Sequence, residues 1–249
     1  MGNLRIGTSG WNYPSGQGTW NGIFYPPAKA RPKGFDELGF YSEHFDTVEV
    51  NSTFYGQPRA SVTRTWAERT PRLFEFSVKL YQKFTHPKMY EQVLRRSLHT
   101  PEGHEAAVRE LVKPSAADLD EFRRGIEPLA SAGKLGAVLV QFPPTRPRDD
   151  GILRLLLDSL DPELEYAFEF RHESWAGVDV PVLLNSFEAD ASFRYFRLRE
   201  PPYDDETLRG WALRFRPLLE DGMRIYCYFK HEDEPSAPRY AQRLLEFLR

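Results

Sequence analysis

Four strand-like runs in this chain place ionised or amide side chains on one face and apolar side chains on the other. They span residues 47–51, 76–80, 138–142 and 167–171. Side chains along a strand alternate between its faces with period two. Val48 and Val50 therefore share one face, and Glu49 and Asn51 the other. Phe168 and Phe170 oppose Glu169 and Arg171 in the same way. In each run the polar set lies toward the C-terminal end. Parallel strands separated by helices bring such groups together at one mouth. Buried charge is costly unless it is paired or used, so the pattern constrains the fold and marks a candidate site.

Further strand-like runs lie at 5–9, 193–198 and 224–230. Helical spacing of apolar residues separates the runs: Phe35, Leu38, Tyr41 and Phe45, then Leu119, Phe122, Ile126 and Leu129. Ser115, with Asp118 three residues on, is the expected start of the second of these helices. A short leucine-rich helix is expected at 152–160, and two further helices at 204–219 and 238–248. Alternating strands and helices imply a parallel sheet with right-handed crossovers. Seven or eight such units in 249 residues suit a TIM (β/α)8-type barrel in one domain over residues 1–249. A doubly wound open sheet is the second choice, since no Gly-rich phosphate fingerprint follows the first strand. Long insertions at 11–34 and 81–114 both follow strand ends, where barrel enzymes build their sites.

The net charge of −3 gives no global basic field, so nucleic acid is not the expected partner. The lone Cys227 excludes an intrachain disulfide and a thiolate metal cage, and reads as a buried strand residue. Arg5 and Gly7 interrupt the only N-terminal apolar run, so no signal peptide is expected. No apolar run reaches the roughly 18 residues of a membrane span. The default expectation is a cytoplasmic protein with no membrane partner.

A set of longer motifs adds to this reading. Ile6-Gly7-Thr8-Ser9-Gly10-Trp11 opens the chain, and Phe24-Tyr25-Pro26 follows. The run from Phe45 to Tyr55, then Phe76-Ser77-Val78-Lys79, Thr85-His86 and Gln141-Phe142-Pro143-Pro144, come next. Phe168-Glu169-Phe170-Arg171-His172 with Trp175, Tyr195-Phe196-Arg197-Leu198 and Tyr228-Phe229-Lys230 complete the set. Together they resemble the DUF72 family, also called YecE-like proteins, nearly end to end. The resemblance implies a TIM barrel and no particular reaction. It also implies a full helix and a further strand between the fifth strand and the Tyr-Phe-Arg-Leu strand. Only residues 176–192 fill that interval here, with Val180 to Asn185 reading as a sixth strand or the stub of the helix, and a parallel crossover normally needs about a dozen residues or more. A shortened or missing βα unit is therefore expected, with a gap or an open sheet edge on that side.

At the expected mouth, Glu49 and Glu169 are the acid/base candidates. Lys79 is a candidate anion ligand or Schiff-base lysine. Arg171, Arg197 and Lys230 are expected to hold an anion. Asn51, Gln141 and Tyr228, with Thr8 or Ser9, would orient it. Trp11 and Tyr55, with Trp20, Tyr25 and Trp175, are candidate flat walls. The alternative is that the charges are Glu–Arg and Glu–Lys pairs that fill the lumen. For a divalent metal, the weak candidates are His86 and His172, with His231 also at a strand end, and none has a recognised ligand spacing. The favoured reading is an enzyme, a hydrolase or lyase, acting on a small anionic, phosphorylated or sugar-containing molecule. A non-catalytic ligand- or nucleic-acid-binding barrel, or a degenerate inactive member, stays open, as does a homo-oligomer.

Overall fold

Among the described residues seven strands run parallel: β1 (Leu4–Thr8), β2 (Thr47–Val50), β3 (Glu75–Lys79), β4 (Leu135–Phe142), β5 (Tyr166–Phe170), β6 (Phe193–Leu198) and β7 (Arg224–Phe229). The structure is a computed structural model and describes residues 3–13, 16, 18–98, 105–188, 191–230 and 235–249. The strands pair in the orders β2-β3-β4-β5 and β1-β7-β6. A parallel bridge between Ser9 and Glu49 joins the two sets on one side. There the Gly10 N–H donates to the Glu49 carbonyl at 2.8 Å. Gly10 has φ +90°, a turn out of β1 that a side chain would strain.

The other side closes without a regular strand. Residues 182–185 lie between β5 and β6. The Phe168 N–H donates to the Val182 carbonyl, and the Leu184 N–H to the Phe168 carbonyl, both at 2.8 Å. On the far side the Asn185 N–H donates to the Tyr195 carbonyl at 2.9 Å. Asn185 sits at φ 57°, in the left-handed region. Its amide then takes over where the backbone turns away: Oδ1 accepts from the Arg197 N–H at 2.8 Å, and Nδ2 donates to the Arg197 carbonyl at 3.3 Å. The expected gap is thus filled by an eighth, irregular stave. Among the described residues of 176–192 there is no α-helix, so the unit is shortened as expected. No open edge remains between β5 and β6 at this level.

The helices form the outer layer. They are α1 (Glu37–Ser42), α2 (Ser52–Tyr55), α3 (Ala60–Glu68), α4 (Gln82–Thr85), α5 (Pro87–Leu98), α6 (Glu105–Val112), α7 (Ala116–Ser131), α8 (Asp150–Ser159), α9 (Asp205–Glu220) and α10 (Ala237–Leu248). The start of α7 is a capping box, with Ser115 and Asp118 each satisfying the other's backbone N–H. Leu119, Phe122, Ile126 and Leu129 of α7 are buried, as their spacing implied. Gly125 of α7 lets the helix approach the chain before α3. A Cβ there would lie 2.2 Å from the Pro58 carbonyl oxygen. Helix α3, and the three helices α4, α5 and α6 within the polar excursion at 81–114, lie outside the segments where helices are expected from the sequence. No helix among the described residues is long and apolar enough to cross a membrane.

The period-two split holds in three dimensions. Val48, Val50, Phe76, Val78, Val138, Val140, Phe142 and Phe168 belong to the core between sheet and helices. Cys227 lies in the same core, fully buried. Inside the barrel a second cluster forms from Ala137, Leu139, Ala167, Val182, Phe193, Tyr195, Tyr226 and Tyr228. Polar layers lie above and below it. At the N-terminal end Arg5 donates to Glu75 (2.6 and 2.9 Å) and Asp46 (3.1 Å), and the Tyr226 hydroxyl donates to Glu75 at 2.8 Å. At the C-terminal end lies the group described next.

Candidate active site

Arg197, on β6, is the hub of the C-terminal layer. Its side chain is closed to solvent, and so is that of Glu49. Nη2 donates to Glu49 Oε1 at 2.9 Å, while Nε lies 2.9 Å from Oε2 but is turned off the hydrogen-bond direction. Nη1 donates to Glu169 Oε2 at 2.5 Å and to Gln141 Oε1 at 3.2 Å. One guanidinium therefore joins β2, β4, β5 and β6. Burial disfavours its charge, but Glu49 and Glu169 outweigh burial and raise its pKa.

Glu49 has no free oxygen facing the mouth. Oε1 also accepts from the Ser9 hydroxyl at 2.6 Å, and Oε2 from the Tyr195 hydroxyl at 2.8 Å. Asn51 Nδ2 donates in turn to Ser9 Oγ at 2.5 Å. An acid or base must reach the proton it transfers, and fully buried Glu49 reaches only its anchors. Of the pair Thr8 and Ser9, it is Ser9 that faces the lumen; Thr8 bonds the Tyr41 hydroxyl on the outer side.

Glu169 is different. It is 5% exposed and lines a cavity of about 560 Å³ that opens beside the irregular stave. Its Oε1 accepts from Arg171 at 2.6 Å and Arg199 at 3.1 Å. Burial works to raise the Glu169 pKa, but Arg197, Arg171 and Arg199 prevail and hold it below the ordinary carboxylate range. Arg171 also donates to Gln141 Oε1 at 3.3 Å. Arg171 and Arg199 both line the cavity, with the exposed Glu200 at its rim. Burial, and then the charge of Arg171, lower the Arg199 pKa.

Lys79, at the end of β3, is 7% exposed. Its ammonium makes no hydrogen bond or ion pair with any described residue. It lies 3.7 Å over the ring of Phe54. Its backbone is fixed, because Thr53 Oγ1 donates to the Lys79 carbonyl at 2.7 Å and accepts from its N–H at 3.2 Å. Burial first, and then the charge of Arg197, draw the Lys79 pKa down to about 7, against the opposing pull of Glu49 and Glu169. His86 packs edge-on against Phe54, its ring 4.7 Å away, with Nδ1 2.8 Å from Thr85 Oγ1. Burial, then the charges of Lys79, Arg171 and Arg146, lower the His86 pKa to about 4. His86 is thus a neutral imidazole at physiological pH. Lys230 follows β7 and adds its charge to the field at Lys79.

Several sequence expectations are corrected by placement. The Tyr228 hydroxyl lies one layer below the mouth, bonded to Ser77 (2.8 Å) and Thr47 (2.7 Å), so it fills the lumen and orients nothing above. Tyr195 takes the position expected of it. Trp20 and Tyr25 are buried in the loop after β1, among Tyr13, Phe24 and Phe40. Trp175 is buried against Phe142 and Phe170. Trp11 packs edge-on against Trp66 of α3, at 5.4 Å, so its ring contributes to the outer layer. Tyr55 is exposed at 62%, beside the ring of Phe54. His172 bonds Ser174 at 2.8 Å and caps the short turn Glu173–Trp175, which explains it as a local structural residue. His231 lies outside the described residues. Among the described residues no group of three or more His, Cys, Asp or Glu is placed to hold a metal ion. Arg199 was missed, although two steps from Arg197 along the same face would have found it.

A family model for a protein of unknown function, DUF72, matches residues 5–190. The chain belongs to the DUF72 family. Among curated DUF72 relatives, the UPF0759 protein YunF of Bacillus subtilis (strain 168) is 31% identical over 176 residues, which is 69% of this chain and 52% of that protein. The UPF0759 protein YecE of Escherichia coli (strain K12) is 32% identical over 152 residues, 59% of this chain and 47% of that one. The chain thus spans about half the length of the curated relatives it matches. Crystal structures of DUF72 proteins share its fold. One from Enterococcus faecalis V583 has a TM-score of 0.70 at 16% identity, covering 98% of this chain and 95% of that one. One from Thermotoga maritima MSB8 has a TM-score of 0.67 at 23% identity, covering 98% of each chain. These likenesses bear out the TIM-barrel-like architecture and leave the reaction open.

Proposed function

We propose that the protein is an enzyme, a hydrolase or lyase, that acts on a small anionic molecule at the C-terminal mouth of its barrel. One observation carries this reading. The two buried carboxylates of the layer, Glu49 and Glu169, share four cations, Arg197, Arg171, Arg199 and Lys79, which leaves a positive surplus; Arg171 and Arg199 line the cavity with Glu169, and Lys79 lies at the end of β3 in the field of the same groups. A concave, partly dry surface with such a surplus concentrates anions. Arg171 and Arg199 offer planar forks suited to a carboxylate or a phosphate, on its own or as part of a phosphorylated sugar. In this reading Glu49 is an anchor for Arg197. Glu169 sets the two cavity arginines, and Lys79 is the reactive group.

Inorganic phosphate and pyrophosphate are the direct probes. Either should raise the melting temperature of the wild type, and Arg171→Gln combined with Arg199→Gln should lose that shift. An equal shift in the double variant, or none in the wild type, would sink the anion site. A non-catalytic binder would use the same cavity. It would bind phosphate and yet turn over no member of a panel of phosphorylated and carboxylated compounds.

A further inference from the structure

We infer that Lys79 is a carbonyl-capturing nucleophile, and that the substrate is an aldehyde or ketone carrying a carboxylate or phosphate. This rests on the anion site proposed above and names its substrate class. The geometry supplies the argument. A lysine beside two buried glutamates would ordinarily pair with one of them. Here Arg197 occupies the inner sides of both, so the amine of Lys79 has no carboxylate left to hold it. Instead it lies against the face of Phe54, whose ring also meets His86 edge-on, with the charges of Arg197 and Lys230 in the field around it. The Thr53 contacts fix its backbone, so the reach of Nζ is set by one side chain on a rigid strand end. A desolvated amine among cations keeps its lone pair near neutral pH, the condition for attack on a carbonyl carbon.

The step balances within the chain and its substrate. The Lys79 nitrogen bonds to the carbonyl carbon as the π pair moves to oxygen. The oxygen takes both amine protons and leaves as water, and a C=N bond remains. Once protonated from solvent, that imine accepts the electron pair of an adjacent C–H or C–C bond as it breaks, which is lyase chemistry. Arg171 and Arg199 hold the anionic group of the same molecule.

The test is reductive trapping on the full chain at about neutral pH, with cyanoborohydride and either glyoxylate, glycolaldehyde phosphate or uncharged propionaldehyde. The chain has eight lysines, so peptide mapping resolves each one. Exposed Lys29 and Lys33 serve as internal references. Lys79 should be modified at least about a hundredfold faster than either by the anionic probes. Lys79→Arg should abolish that adduct. Modification of Lys29 and Lys33 with Lys79 untouched would overturn the inference, and a phosphate-induced melting shift in that same sample would leave the anion site standing. Equal capture of propionaldehyde and the anionic probes would overturn the substrate class. Capture at Lys79 without any phosphate shift would overturn the anion site and leave the nucleophile.

Discussion

The guanidinium of Arg197 lies across the carboxylate of Glu49 with two nitrogens at 2.9 Å from its two oxygens, and neither side chain is exposed to solvent. This pair decides how the rest of the mouth behaves. It uses up the negative charge of β2, draws Glu169 to the same cation, and leaves Lys79 unpaired. A buried pair is costly to break because its partners stay buried and uncompensated.

Arg197→Met should therefore destabilise the protein by roughly 3–5 kcal/mol, the range for removing one partner of a buried ion pair. Glu49→Gln should cost less, since the amide keeps one acceptor oxygen and the hydroxyl of Ser9 or Tyr195 facing its nitrogen can turn to accept. Denaturant unfolding of the two variants checks the order. A smaller loss for Arg197→Met than for Glu49→Gln would mean that Arg197 is not the hub.

The irregular stave depends on Asn185. Asn185→Ala removes both amide bonds to Arg197 and places alanine at φ 57°. The expected cost is about 2–4 kcal/mol. Asn185→Gly relieves the backbone strain but not the lost bonds, and should fall between wild type and alanine. Equal stability of all three would show that the stave does not close the barrel.

Tyr228→Phe separates the lumen from the mouth. Loss of its hydroxyl leaves Ser77 and Thr47 without their shared partner and should cost about 1–2 kcal/mol. The phosphate-induced melting shift should stay as in the wild type. A lost shift with unchanged stability would return Tyr228 to the site.

Lys79 also makes stability depend on pH. Its folded pKa of about 7 lies below the unfolded value near 10.4, so the unfolded chain binds more protons between them. Stability attributable to this group should therefore rise as pH increases from about 7 to about 10. Below about 7 both states are protonated, and the cost of burying the charge is fully present. The difference between wild type and Lys79→Met, followed across this range by chemical unfolding, should change in that direction by a few kcal/mol at most. No change would mean that Lys79 is paired or solvated.

The period-two reading found which face of each strand meets the lumen, and hence Glu49, Lys79, Glu169, Arg171 and Arg197 together. It did not find the layer. Tyr195 and Tyr228 both point inward, and although β7 sets Tyr228 level with Arg197, it is the Tyr195 hydroxyl that reaches Glu49. The capping box at Ser115 was readable because it is local. The burial of Trp20, Tyr25 and Trp175 was not, since it depends on loops folding back onto helices. Asn185 was invisible for a similar reason. Its amide substitutes for a backbone that leaves the sheet, and nothing in residues 180–185 announces that turn.

The central claim is that Lys79 is held unpaired among cations at a cost to the fold. The most direct measurement is the melting temperature of Lys79→Met beside wild type at about pH 6, where the lysine is charged in both folded and unfolded states. Functional sites hold mutually repelling groups at the expense of stability. The account predicts that the variant melts several degrees higher. A variant that melts several degrees lower would show that Lys79 is paired with a buried carboxylate, and that the charges of the lumen serve the architecture alone.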